Sequence, residues 1–197
     1  ISTCHLNIAE NEFSESNGIV WKGSDAATLD LAIQNNRFLQ HLEYGIYLDV
    51  SGKTQLTTVI TDNVYSTSAQ HTKGLHILTN TDDTITHRHQ IGKNSYLGHT
   101  QAGIHLALKG RSLMDLAIAD NVIVSDAQEN GICIELQDQS HLLHASIARN
   151  AWKSASRLLP DRIPLQSRGL SLEFNDTAHA STLVLTHNTL AFPVTYI

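Results

Sequence analysis

This 197-residue chain has only two cysteines, no long apolar run and no cluster of basic residues. Two cysteines cannot form a disulfide framework. No apolar run approaches the ~18 residues that a membrane-spanning helix requires. The chain carries 13 Lys and Arg against 19 Asp and Glu, a formal net charge of −6. We therefore predict no transmembrane helix, and neither nucleic acid nor an anionic lipid surface as a partner.

What the sequence does contain is one motif in seven copies: an apolar residue, two spacers, an asparagine, one spacer and a large apolar residue. Successive asparagines stand 25 to 38 residues apart. A period in this range is typical of a solenoid, in which each repeat buries its apolar face against its neighbours. The copies are Ile8-x-x-Asn11-x-Phe13, Ile33-x-x-Asn36-x-Phe38, Ile60-x-x-Asn63-x-Tyr65, Ile91-x-x-Asn94-x-Tyr96, Ile118-x-x-Asn121-x-Ile123, Ile147-x-x-Asn150-x-Trp152 and Leu185-x-x-Asn188-x-Leu190.

A second signature, which begins with glycine and continues with alternating apolar positions, follows six of the asparagines. Alternation with a period of two indicates a strand with one buried and one exposed face. Similar alternation precedes the asparagines, as in Leu29, Leu31 and Ile33. The glycine copies are Gly18-Ile19-Val20-Trp21, Gly45-Ile46-Tyr47-Leu48, Gly74-Leu75-His76-Ile77, Gly103-Ile104-His105-Leu106, Gly131-Ile132-Cys133-Ile134 and Gly169-Leu170-Ser171-Leu172.

Three short strand-like stretches per repeat predict an all-β, right-handed parallel β-helix of about seven coils with an asparagine ladder. Neighbouring strands lie ~4.8 Å apart, so asparagines at one corner can bond to each other, and Asn tolerates left-handed backbone there. We expect the repeat glycines to supply a special backbone conformation. The residues expected to form an inward aromatic column are Phe13, Phe38, Tyr65, Tyr96 and Trp152.

We interpret residues 1–197 as a single β-helix domain. The chain begins at Ile1 without a signal-peptide pattern, and neither end carries the polar cap that a free-standing solenoid needs. We therefore expect a fragment of a longer solenoid.

Ile-x-x-Asn-x-Phe followed by Gly-Ile-x-Leu resembles the parallel β-helix repeat of the pectate-lyase-like superfamily, over essentially the whole chain. That superfamily includes polysaccharide lyases and hydrolases and the passenger domains of bacterial autotransporters. The resemblance implies that binding or catalysis uses the outer face of the sheet built from the Gly-Ile-x-Leu stretches, called sheet C below, and the loops before it. It implies little about activity, because one scaffold hosts many functions.

Sheet C should present two outward columns of side chains. Tyr47 beside Asp49 would form a platform for a sugar ring, with an apolar ring face and a carboxylate acceptor. The longest loop, residues 151–168, contains Arg157 and Arg162, which can donate to an acidic group. The predicted binding surface consists of Tyr47, Asp49, His76, His105, Arg157 and Arg162.

Two alternative sites share this face. Glu135 and Glu173 occupy adjacent positions of one outward column, within reach of the ~5 Å separation of a retaining carboxylate pair. They are the catalytic alternative, although we expect no catalysis. His76, His105 and Cys133 are neighbours in the other column and form the alternative site for zinc or copper. An ordinary solvated surface is the competing interpretation of both sets.

Histidine is the residue type that the repeat explains least, with twelve in the chain. His87 and His89 fall at inward positions that leucine occupies elsewhere. Either they are buried and neutral, or a bulge turns them outwards, and the length of their coil favours the bulge. We expect the strip formed by His76 and His105 to gain charge between about pH 7 and 5.5.

The function predicted is a non-catalytic, secreted or bacterial cell-surface scaffold that presents an adhesive face, as an autotransporter passenger does. Its partners would be a glycan, a host protein or copies of itself, and no cofactor is predicted. The alternative is a carbohydrate-active enzyme, a polysaccharide lyase or glycoside hydrolase, with its site in the sheet C groove. A purely structural spacer is the third interpretation.

Overall fold

Every secondary-structure element that the computed structural model describes is a β-strand. The structure describes residues 2–24, 27–69, 72–125, 130–154, 169–190 and 194–196. No helix in this part is long and apolar enough to cross a membrane. The strands are β1 Ser2–Ala9, β2 Glu12–Ser14, β3 Ile19–Gly23, β4 Ala27–Gln34, β5 Arg37–Leu39, β6 Tyr44–Ser51, β7 Gln55–Thr61, β8 Val64–Ser66, β9 Lys73–Thr81, β10 Thr86–Gly92, β11 Ser95–His99, β12 Ala102–Gly110, β13 Leu113–Ala119, β14 Val122–Ser125, β15 Asn130–Leu136, β16 His141–Ala148, β17 Ala151–Ser154, β18 Leu170–Phe174, β19 His179–Thr186, β20 Thr189–Leu190 and β21 Val194–Tyr196.

The strands form three sheets, and each strand pairs in parallel with its equivalents one coil away. Sheet A runs β1-β4-β7-β10-β13-β16-β19, sheet B runs β2-β5-β8-β11-β14-β17-β20, and sheet C runs β3-β6-β9-β12-β15-β18-β21. The all-β parallel solenoid is therefore confirmed. The predicted number of about seven coils was too high, because the chain makes about five turns. The right-handed sense stays a prediction.

Alternating side chains from all three sheets fill the interior. Ile33, Ile60, Ile91 and Ile118 are register partners in sheet A, and each has no exposed surface. Each of these isoleucines packs over its equivalent in the next coil. Burial of this kind contributes ~25 cal/mol per Å² of apolar surface, so the stacked interior is the main source of stability.

The asparagine ladder is present, and its hydrogen bonds show why the motif recurs. The backbone N–H and the side-chain amide of Asn63 both donate to Asn94 Oδ1, each at 3.0 Å. The same amide donates to the Ile33 carbonyl at 2.9 Å. This pattern runs from Asn11 to Asn188. Each asparagine therefore satisfies buried groups that the corner would otherwise strand.

The left-handed residue at this corner is not the asparagine. It is the residue immediately before, as at Lys93, which has φ 56°. Our assignment of that conformation to Asn was wrong, because the ladder bonds hold Asn itself in ordinary backbone. The left-handed residues preceding the seven asparagines are Glu10, Asn35, Asp62, Lys93, Asp120, Arg149 and His187.

The aromatic column forms as predicted, with Phe13, Phe38, Tyr65 and Tyr96 stacked at centroid distances of 5.0, 4.8 and 4.6 Å. It also explains the repeat glycines. A Cβ on Gly74 would lie 2.3 Å from the Tyr96 ring, and Gly74 does not have a positive φ. The expected special backbone conformation was wrong: glycine is needed there because the aromatic ring of the next coil covers it.

His87 and His89 point into the core, with 0% and 3% of their surface exposed. The predicted bulge is wrong, because β10 pairs with β13 without a register shift. The additional residues of this coil lie outside β10, as in the connection 82–85. His87 Nδ1 accepts from the Leu56 backbone N–H at 3.2 Å, and His89 Nδ1 bonds to the Thr58 hydroxyl at 2.9 Å.

Candidate functional site

Rings from three consecutive coils form a row on the outer face of sheet C. Tyr47, His76 and His105 are register partners on β6, β9 and β12, and Tyr44 joins them at the start of β6. Tyr47, His76 and His105 face outwards because the residues on either side of each point into the core. Centroids lie 4.9 Å apart for Tyr44–Tyr47, 5.2 Å for Tyr47–His76 and 4.5 Å for His76–His105. We call these four residues the ring row.

One end of the ring row carries groups of both charges. The Tyr47 hydroxyl donates to Asp49 Oδ2 at 3.1 Å, and Lys22 Nζ lies 5.6 Å from the Tyr47 ring centroid. Burial and the neighbouring Asp49 carboxylate raise the pKa of Tyr47 to about 12. The phenol therefore stays protonated at neutral pH. One oxygen of Asp49 is already occupied, whereas the predicted platform assumed a free carboxylate.

His76 lies flat against His105, with 6° between the ring planes. Burial lowers the pKa of His76 to about 3, and the positive charges of Lys73 and His105 act in the same direction. Our expectation that this strip gains charge between about pH 7 and 5.5 is therefore wrong for His76. A ring pressed between neighbours loses too much solvation to become charged in that range.

The other end of the ring row meets a thiol and a carboxylate. His105 pairs with Cys133 across β12 and β15, and Glu135 is the next outward residue on β15. His105 Nε2 lies 3.0 Å from Glu135 Oε1, and the Cys133 thiol donates to the same oxygen at 3.7 Å. We call these three residues the His-Cys-Glu cluster. Glu135 Oε1 thus contacts both the imidazole of His105 and the thiol of Cys133.

The pKa shifts of this cluster follow from its geometry. The hydrogen bond from His105 is the main cause that lowers the pKa of Glu135, against the opposing effect of burial. Burial raises the pKa of the Cys133 thiol well above its ordinary value, and the charges of Glu135 and Glu173 raise it further. Without a metal, Cys133 is therefore a protonated thiol and not a ready nucleophile.

The catalytic alternative receives limited support from these positions. Glu135 and Glu173 are register partners on β15 and β18, and Glu173 Oε1 accepts from the Ser171 hydroxyl at 2.9 Å. The lowered pKa of Glu135 is opposite to the raised pKa that a glycosidase general acid needs.

The alternative metal site changes its membership in the structure. The nitrogen, sulfur and oxygen ligand atoms of His105, Cys133 and Glu135 all lie within 4.8 Å of one another, and His76 is not part of that group. His76 stacks on the ring of His105 and does not converge with it on a shared point. Two predicted binding residues, Arg157 and Arg162, lie outside the described residues.

A groove of about 640 Å³ lies elsewhere, on the outer face of sheet A. Its charged side chains already contact one another. Arg88 Nε lies 3.6 Å from Asp115 Oδ2, and His144 Nδ1 lies 3.1 Å from Asp115 Oδ1. The remaining lining comes mostly from small residues such as Thr57 and Ala117. The groove is larger than the pocket of about 230 Å³ beside Lys22 and Asp49 on sheet C, but its charged side chains already pair with one another.

Sequence reasoning placed most of this face correctly but missed two features. Tyr44 was not recognised, although its position directly before a repeat glycine was the available signal. Glu135 lies in the column of Ala107 and Glu173, as predicted, but its contacts with His105 and Cys133 were not predicted. The Cys-x-Glu spacing, which puts both side chains on the same face of one strand, was the signal that connects them.

No protein-family model, no curated protein and no solved structure matches the chain.

Proposed function

We propose that this chain is a non-catalytic binding scaffold that presents the outer face of sheet C to a glycan. In this proposal it is a secreted or cell-surface β-helix of the pectate-lyase-like type, comparable to an autotransporter passenger. Host proteins and further copies of the chain are the competing partners. The proposal depends on one observation: four rings lie side by side over three neighbouring strands.

The ring row has the size and chemistry that a short oligosaccharide needs. Three neighbouring strands span ~10 Å, about the length of two sugar rings, and aromatic faces stack on the apolar faces of sugars. Asp49 and Lys22 at one end and Glu135 at the other supply acceptors and donors. Because charges of both signs flank the row, we propose a neutral glycan.

The rigid strands make this surface preformed. The inward residues of the same strands are completely buried, among them Ile46, Leu48, Ile77 and Leu106. A glycan would therefore bind without an ordering cost in the backbone, and this preorganisation favours affinity.

A glycan array followed by calorimetry on the strongest ligand tests the proposal. The variant Tyr44→Ala/Tyr47→Ala removes two rings, each worth ~0.5–1.5 kcal/mol in stacking, so affinity should fall about 5- to 140-fold. Val184→Ala is the matched control, because it trims an exposed apolar residue on sheet A. Unchanged binding in the double variant, or equal loss in the control, would place the binding surface elsewhere.

A carbohydrate-active enzyme is the second candidate, favoured by the register pairing of Glu135 and Glu173. Purified protein should then release reducing ends or unsaturated products from a polysaccharide panel, and Glu173→Gln should abolish the release. Absence of product over the panel, with glycan binding retained, would support the non-catalytic proposal.

A further inference from the structure

Three different metal-ligand types meet at the end of the ring row, on two adjacent strands. Cys133 and Glu135 alternate on β15 and so share its outer face, while His105 stands directly opposite Cys133 on β12. Their ligand atoms are mutually within 4.8 Å. Register pairing, and not a flexible loop, produces this convergence, so the backbone already holds the three residues in place.

The distances are close to those of a tetrahedral zinc site. Zinc bonds of ~2.3 Å to sulfur and ~2.0–2.2 Å to nitrogen and oxygen imply ligand–ligand separations of about 3.4–3.6 Å. The observed separations are 3.0 Å from His105 Nε2 to Glu135 Oε1 and 3.7 Å from Cys133 Sγ to the same oxygen. The third separation, from Cys133 Sγ to a His105 ring nitrogen, is at most 4.8 Å, so side-chain adjustments of up to about 1 Å are sufficient to admit the ion.

Burial is graded across the three residues. Cys133 and His105 are 4% and 9% exposed, whereas the Glu135 side chain is 28% exposed. An ion held here would therefore be sheltered on its sulfur and nitrogen side and reachable by solvent on its carboxylate side. The His76 ring, stacked 4.5 Å from that of His105, limits rotation of the imidazole ligand.

The ligand chemistry selects a class of metal. A thiolate and an imidazole favour zinc and similar divalent transition metals, whereas calcium and magnesium require oxygen ligands. One thiolate and one carboxylate also neutralise the two charges of such an ion, so it could occupy a mostly buried position.

We propose that His105 Nε2, Cys133 Sγ and a Glu135 carboxylate oxygen bind one divalent transition metal of the zinc class, with a fourth position open to solvent. The metal proposal does not rest on the proposed glycan binding, although the two surfaces share the His105 ring and the Glu135 carboxylate. Three protein ligands with an open position are the arrangement in which zinc can also coordinate an external group.

Titration of the chelator-treated 197-residue chain with Co²⁺ tests the site, because tetrahedral cobalt–thiolate centres absorb in the near ultraviolet by charge transfer and in the visible by d–d transitions. We expect one Co²⁺ per chain, displaced by Zn²⁺. Cys133→Ser should remove the charge-transfer band. Cys4→Ser alters the other free cysteine, which is exposed, and should leave the band unchanged.

The carboxylate ligand has its own matched pair of variants. Glu135→Gln should weaken Co²⁺ binding by about 10- to 100-fold or more, the range that even outer-shell changes produce. Glu12→Gln, which alters an exposed carboxylate paired with Arg37 on sheet B, should have little effect. Circular dichroism checks that each variant folds. If Cys133→Ser does not fold, Glu135→Gln is the variant that tests the metal site.

Three outcomes would overturn the proposal: no thiolate band in the unaltered protein, a band that disappears with Cys4→Ser instead, or equal affinity in the two glutamate variants. Because glycan binding is measured separately and without added metal, its success or failure leaves this result unaffected.

Discussion

Two sets of buried polar side chains share the interior of this solenoid, and they are satisfied to very different degrees. Along the asparagine corner, each inner side chain accepts from one coil and donates to the next. Four of the described histidines of the core each have one ring nitrogen without a hydrogen-bond partner. This nitrogen is Nδ1 in His41 and His99, and Nε2 in His87 and His89.

Repetition explains this contrast. An asparagine in every coil means that each one finds an identical partner one strand spacing away, so every coil reproduces the same hydrogen bonds. The histidines do not recur in every coil, and their neighbours are whatever the adjacent coils supply. His41 and His99 meet each other, Nε2 to Nε2 at 3.0 Å, whereas His89 meets a threonine. Repeated polar groups therefore stabilise this fold, and isolated ones lower its stability.

Lowering the pH should have the largest effect on stability, because it acts on the buried histidines and not on the asparagine ladder. Burial lowers the pKa of His41 and His87 to about 4 and that of His89 to about 3, and it lowers the pKa of His99 well below its ordinary value. The unfolded chain, with histidine pKa values near 6.5, binds protons first. Stability is therefore complete above about pH 6.5 and is lost as the pH falls towards 4, by up to ~1.4 kcal/mol per pH unit for each histidine.

Denaturant unfolding followed by circular dichroism between about pH 7 and 5 measures this loss. The range lies above the ordinary pKa of carboxylates, so it isolates the histidines. A free energy of unfolding that stays constant over this range would show that the core histidines do not have lowered pKa values.

Breaking the ladder in its middle should have the next largest effect. Asn94→Ala removes the oxygen that accepts both the backbone N–H and the side-chain amide of Asn63. A stranded buried donor costs ~1–3 kcal/mol, and we expect the free energy of unfolding to fall by about 3 kcal/mol. Asn11→Ala is the control, because Asn11 is exposed at the end of the ladder. Equal losses in the two variants would show that burial does not determine the value of a ladder position.

Replacing one isolated threonine–histidine pair with apolar residues should have the smallest effect on the free energy of unfolding, and an effect of opposite sign. Thr58 and His89 bond to each other in a column that Leu31 and Leu116 continue. The double variant Thr58→Val/His89→Leu should raise the free energy of unfolding by ~1 kcal/mol, because both partners of a buried polar pair become apolar.

The single variant His89→Leu is the comparison, since it leaves the buried Thr58 hydroxyl without its partner and should destabilise the protein. The double variant should also reduce the acid dependence by the share of one histidine. A double variant less stable than the single one would refute the interpretation that these isolated polar groups lower stability.

The features predicted correctly were those that depend on the period alone. Asn36, Asn63 and Asn94 form one ladder, the aromatics stack, and Tyr47, His76 and His105 are register partners on one face. Each of these follows from strands stacked at one spacing with side chains alternating between two faces. The wrong predictions concerned how neighbouring coils contact one another and how the chain connects those strands.

His87 and His89 show that limit clearly. A long coil can place its additional residues in a bulge or in its connections, and composition does not distinguish the two. Pairing of β10 with strands on both sides leaves no room for a bulge, so the connections took the additional residues. The left-handed residue before each asparagine, and the glycine beneath each aromatic ring, likewise depend on how neighbouring coils contact one another.

The sequence by itself determined the solenoid class, the ladder, the inward column and most of the outward face, because a repeated motif with period-two alternation places equivalent residues of successive coils in register. Only the tertiary structure decided that Glu135, and not His76, converges with His105 and Cys133. Register brings these side chains within reach of one another. Which of them meet depends on rotamers and on ring stacking, which the side chains of the adjacent coils determine.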